Sequence, residues 1–79
     1  MNIPDAIQEF AHDHAKKYGK QLALNALRRR RRILYQICRF AINLEAIKKA
    51  SLELEALKLV ILTIEAYNDS DFPEPRTIQ

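Results

Sequence analysis

Residues 20–48 read KQLALNALRRRRRILYQICRFAINLEAIK. No glycine or proline interrupts them, and strong helix formers (Leu, Ala, Arg and Lys) dominate. The stretch predicts a long helix. Gly19, the only glycine of the chain, stands directly before it, and the prolines fall at positions 4, 73 and 75. No breaker therefore lies within residues 5–18 or 20–72. The fold class this predicts is all-α: a small helical bundle of about three helices, two long and one short, over residues 1–68. Residues 69–79 follow as a polar tail.

Inside the long stretch, Arg28 to Arg32 form an unbroken run of five arginines. On a helix, successive side chains point about 100° apart, so the run cannot face one way. Arg28 and Arg32 align with Tyr35 and Arg39 in a stripe at i, i+4, i+7 and i+11. Gln21, Asn25, Gln36 and Asn43 share that polar face, and Arg29 and Arg31 flank it. Leu22, Ala26, Ile33, Ile37, Phe40, Ala41 and Leu44 form the expected apolar face. Arg30 falls within this apolar face and must snorkel or reach across an interface. If Arg30 is buried against an acidic residue, the helix is an assembly interface as well as a binding face.

Working outward, a first helix is expected over about residues 4–18, with Asn2 as its cap and Pro4 in its first turn. Ile3, Ile7, Phe10, His14 and Tyr18 fall on one face. Lys16 and Lys17 suit the last turn, and Gly19 suits a left-handed helix terminus. On the other side, a single helix from residue 20 to 68 is about 73 Å long at ~1.5 Å per residue, too long for a compact small domain. A break is possible at Asn43 or at Ser51. The step from Lys48-Lys49 to Glu53 and Glu55 favours Ser51, giving helices over about 20–48 and 52–68.

The third helix is apolar around most of its circumference, with only Glu55, Lys58 and Glu65 marking a wet edge. Such a helix is buried on several sides. Leu54, Leu57, Val60, Ile61, Ile64 and Tyr67 are therefore the expected oligomer interface, covered by a second copy of the chain. The acidic tail at 69–79 contains two prolines and is expected to be disordered or extended, with Phe72 as a possible docking anchor.

Composition narrows the setting. Seventy-nine residues make one small domain, and such domains are commonly supported by disulfides, metals or oligomerisation. Cys38 is the only cysteine, which rules out an internal disulfide and suggests a reducing compartment. The first residues lack a basic segment followed by an apolar core, so no signal peptide is expected. No apolar run approaches membrane-spanning length. The expected location is the cytoplasm, without membrane insertion.

The net charge of +3 conceals a marked polarity. Residues 1–15 carry −3, residues 16–39 carry +9 with no acid, and residues 40–79 carry −3. The partner this implies is a polyanion. Arginine forks bind phosphate bidentately, and Arg28, Arg29, Arg31, Arg32 and Arg39 are the expected contacts. Tyr35 can stack on a base or bond a phosphate, and Gln21 and Asn25 can reach base edges. The stripe spans about 16 Å at ~1.5 Å per residue, enough to follow several phosphates. The function expected is backbone-dominated binding of RNA or DNA. The alternative is a protein-interaction module, such as an adaptor, an inhibitor or an antitoxin-like factor, docking an acidic protein through the same helix.

Other motifs weigh less. Ala15 and Gly19 match the first-helix alanine and turn glycine of a helix-turn-helix, but Lys20, Asn25 and Arg28 occupy positions that should be apolar. Glu9 and His12 have the Glu-x-x-His spacing of di-iron bundles, without the second motif or the matching glutamates. His12 and His14 splay apart at i, i+2. No nucleophile–base constellation and no glycine-rich phosphate loop occur. No enzyme activity, metal or cofactor is expected.

Overall fold

The computed structural model describes residues 2–73. It contains three helices: α1 over Asp5–Tyr18, α2 over Lys20–Phe40 and α3 over Leu44–Glu65. A single 3-10 turn, Asp69–Asp71, follows. Among the described residues there is no strand. The helices run up, down and up. Arg28 meets Glu65, Tyr35 meets Lys58 and Cys38 meets Ser51, so α2 and α3 are antiparallel.

α1 begins as the charge pattern predicts, with Asp5 in its first turn and Lys16 and Lys17 in its last. Its cap differs from expectation. Pro4, not Asn2, stands at the N-cap, and its carbonyl accepts from the amides of Ile7 and Gln8 at 3.1 Å. Gly19 then joins α1 to α2 alone. Its amide donates to the Ala15 carbonyl at 2.7 Å, and its carbonyl accepts from Ala23 at 3.0 Å. Its φ of 83° and ψ of 157° lie outside the left-handed helical region that was expected, in a region open almost only to glycine. A buried one-residue link between two helices requires that geometry.

The break between α2 and α3 falls at Ala41–Asn43, not before Ser51. Asn43 Oδ1 accepts from the amides of Glu45 at 2.8 Å and Ala46 at 3.4 Å, satisfying two donors that a helix start leaves free. Ser51 lies within α3, its Oγ 3.6 Å from Cys38 Sγ. Lys48 and Lys49 are exposed mid-helix residues, so the charge step that favoured Ser51 marks a solvent face and not a terminus. Starting α3 at Leu44 sets Ala50, Leu54, Leu57, Ile61 and Ile64 in one seam at 3–4-residue spacing.

The core consists of Ala11 and Ala15 from α1, Ala23, Leu24, Leu27 and Leu34 from α2, and Ala50, Leu54, Leu57, Val60, Ile61 and Ile64 from α3. This corrects three expectations. On α1 the alanines form the contact, which lets the helices approach closely, while Phe10 and Tyr18 are pushed to the margin. On α2 the buried seam is rotated from the expected face, and Leu22, Ile33 and Phe40 are exposed, as is Leu44, which belongs to α3. A seam through Leu24, Leu27, Leu34 and Cys38 passes over Arg31, which is half-buried, and an arginine there hides the periodicity. On α3, Leu54, Leu57, Val60, Ile61 and Ile64 are buried by α1 and α2 of the same chain, and Tyr67, just past its end, is partly buried against the same core, so these residues do not require a second copy. The large apolar side chains α3 leaves exposed are Leu44, Leu52 and Leu62.

The tail begins as folded structure. Phe72 packs against the core and stacks on Tyr67 at 4.7 Å, edge-on to His12 at 5.4 Å. Its carbonyl accepts from the Lys20 amide at 2.9 Å, satisfying one of the free donors at the start of α2. Lys20 Nζ in turn donates to the Tyr67 carbonyl at 2.8 Å and pairs with Asp69 at 2.7 Å. The anchor expected at Phe72 thus docks within the chain. The rest of the tail, 74–79, lies outside the described residues.

Candidate nucleic-acid interface

The arginine helix presents one concave surface. Asn25, Arg28, Arg29, Arg31, Arg32, Tyr35, Gln36, Arg39 and Phe40 line a concavity of about 740 Å³. Every lining residue comes from α2, so this is a groove between splayed side chains and not an enclosed cavity. It can receive a strand or a surface. Seven of the eight binding residues expected from sequence line it; Gln21, exposed one turn before Asn25, does not.

Ion pairs sort the arginines further. Arg28 Nη2 donates to Glu65 Oε2 at 2.9 Å, which tethers the start of the stripe to the end of α3. Arg30 donates from Nε and Nη2 to the two oxygens of Glu53 at 2.6 and 3.0 Å. That bidentate bond, reinforced by the attraction of the two charges, raises the Arg30 pKa, and it holds the Glu53 carboxyl below its ordinary value. Arg30 is half-exposed, and its acid belongs to the same chain, so it is not the buried assembly contact that sequence reasoning set as a test. Among the described residues no carboxylate lies within 4.0 Å of Arg29, Arg31, Arg32 or Arg39. These four arginines all line the groove.

Two aromatic rings belong to the same surface. Tyr35 is 49% exposed, with Lys58 Nζ 5.8 Å from its ring centroid. Phe40 is 71% exposed, with the Arg39 guanidinium 5.6 Å from its ring centroid. Phe40 was placed on the apolar face from sequence, and that is the residue the sequence reading missed. Its relation to Gln36, at i−4, was the available signal.

The other motifs do not converge into a site. His12 is exposed beside Asp13, and among the described residues no three His, Cys, Asp or Glu side chains come together. His14 stacks on Phe10, with centroids 5.2 Å apart, and meets Tyr18 edge-on at 4.9 Å. Burial and the nearby Lys17 charge lower its pKa. Among the described residues no helix is long and apolar enough to cross a membrane.

The fold and the groove together define a small all-α protein with a basic helical face. No protein family, curated protein or solved structure matches the chain.

Proposed function

We propose that this chain is a small nucleic-acid-binding protein that grips backbone phosphates in the α2 groove. The observation that carries the reading is that Arg29, Arg31, Arg32 and Arg39, which have no carboxylate partner among the described residues, line one concavity with Tyr35. Arginine forks match phosphate oxygens, and the local field of like charges is relieved when a polyanion binds. Arg28 contributes from the rim while tied to Glu65. Asn25 and Gln36 supply neutral donors and acceptors. Arg30 plays no direct part, because Glu53 holds it. Backbone contacts of this kind position a ligand without selecting its sequence.

A mobility-shift assay with generic RNA and DNA tests the reading. Wild type should retard both, and Arg32→Glu/Arg39→Glu should not. Equal retardation by the variant rejects the groove as the binding surface.

A second reading is favoured by Arg28 and Arg30, whose guanidiniums already bind carboxylates. An acidic protein docked on the same groove would use the same chemistry. Binding of polyglutamate with no binding of nucleic acid would select it. Neither reading involves catalysis. Self-association through Leu54, Leu57, Val60, Ile61 and Ile64 is not part of either, since the chain itself covers them.

A further inference from the structure

We propose that the ligand of the groove is single-stranded, with unpaired bases stacking on Tyr35 and Phe40 while the arginines hold the backbone. This rests on the nucleic-acid reading above and goes beyond it by choosing the form of the nucleic acid.

Exposed apolar surface lies inside the cationic site. Tyr35 and Phe40 both line the arginine groove and are 49% and 71% exposed. Five residues apart on one helix, they stand ~7.5 Å apart along the axis and about 140° around it. That places them at opposite margins of the stripe, with Arg32, Gln36 and Arg39 between. Past Phe40 the apolar surface continues across the α2–α3 corner, where Ile42 is 98% and Leu44 72% exposed. A duplex hides the faces of its bases in the stack and offers only phosphates, sugars and base edges. It binds the cations of this groove but leaves the rings in water. A single strand offers a phosphate chain and free aromatic faces together, and a cationic track with aromatic platforms is the general means of binding one. Arg39, with its guanidinium 5.6 Å from the Phe40 ring centroid, puts a phosphate-binding cation beside the stacking ring.

An anionic bilayer also combines negative charge with apolar matter. It offers no flat ring to stack on Tyr35, however, and no base edge to pair with the amides of Asn25 and Gln36, which share the lining. From Arg28 to Phe40 the groove runs about 18 Å at ~1.5 Å per residue, the length of roughly five stacked nucleotides at ~3.4 Å each.

The test is a fluorescence-anisotropy titration of the full chain with labelled 12-nucleotide oligothymidylate and with a 12-base-pair duplex, at one salt concentration. The single strand should bind roughly tenfold more tightly than the duplex, about what one or two base–aromatic stacks supply. Phe40→Ala and Tyr35→Ala should each weaken single-strand binding by roughly fivefold or more, and weaken duplex binding by much less. Tyr35→Phe, which keeps the ring, should retain the affinity. Both positions are exposed, and an unchanged helical circular-dichroism spectrum verifies that each variant folds. Equal or tighter binding to the duplex, or single-strand binding indifferent to both alanine variants, overturns the inference and leaves the groove reading standing. Absence of binding to either nucleic acid removes both. Binding only to phosphatidylglycerol-containing vesicles, lost in Phe40→Ala, overturns the inference in favour of a membrane surface.

Discussion

Arg30 and Glu53 are joined by two hydrogen bonds, at 2.6 and 3.0 Å, on the flank of the bundle away from the arginine groove. One arginine of the run of five is thereby committed to holding α2 against α3. The charge available to a partner is smaller than the run suggests, and it is directed to one side.

This separation is testable at single positions. Arg30→Gln should change nucleic-acid affinity much less than Arg32→Gln or Arg39→Gln, measured by anisotropy at fixed salt. Glu53→Gln should lower stability by roughly 0–1 kcal/mol, as for other exposed pairs. The Glu53 carboxyl is held below its ordinary pKa by Arg30, so its contribution is present above the unfolded-state value and is lost as pH falls through the lowered one. An Arg30→Gln variant that binds as weakly as Arg32→Gln would show that the run acts as an undivided charge.

Gly19 bears the turn on which α1 and α2 reverse. With φ 83° and ψ 157°, it occupies a region that a Cβ makes costly. Gly19→Ala should destabilise the fold by roughly 1–3 kcal/mol, read from urea denaturation followed by circular dichroism. An unchanged midpoint would mean that the two helices meet through a different turn.

Asn43 governs the second turn through its bonds to Glu45 and Ala46. Asn43→Ala should cost about 1 kcal/mol, Asn43→Asp should cost little, and Ser51→Ala should be close to neutral. The reverse order, with Ser51 the costlier site, would place the helix start where the charge pattern put it.

His14 gives the fold a pH dependence of definite sign. Burial among Phe10 and Tyr18, with Lys17 nearby, lowers its pKa from 6.5, so the folded chain favours the neutral ring. Between the folded and unfolded values the unfolded chain binds more protons, and stability rises with pH. The His14 contribution is complete above 6.5 and declines as pH falls from there towards the lowered folded value. Melting temperatures at pH 7.5 and 5.5 should differ in that direction, and His14→Gln should reduce the difference. A melting temperature that rises on acidification, or a difference unaffected by the substitution, contradicts the assignment.

The sequence made helices and the stripe legible and left phase and junctions obscure, for identifiable reasons. Glycine and proline placement predicts an all-α chain, and i, i+4, i+7, i+11 spacing gathers Arg28, Arg32, Tyr35 and Arg39 without tertiary information. The core face of α2 was misread because its seam crosses Arg31, which is half-buried there and also lines the groove. Ala11, Ala15 and Ala23, all fully buried, are small and were outranked by larger neighbours. The apolar breadth of α3 was read as a call for a second copy, whereas two helices of the same chain cover its seam. The pairing of Arg30 with Glu53 links residues 23 apart in sequence, and no local pattern announces it.

Whether the groove arginines neutralise phosphates is read from the salt dependence of binding. For a single strand, log affinity against log salt should fall with a slope near −0.7 per phosphate neutralised. With Arg29, Arg31, Arg32 and Arg39 engaged and Arg28 partly so, the predicted slope is roughly −3, and Arg32→Gln/Arg39→Gln should bring it to about −1.5. A slope near zero in wild type, or one that the double variant leaves unchanged, contradicts the account.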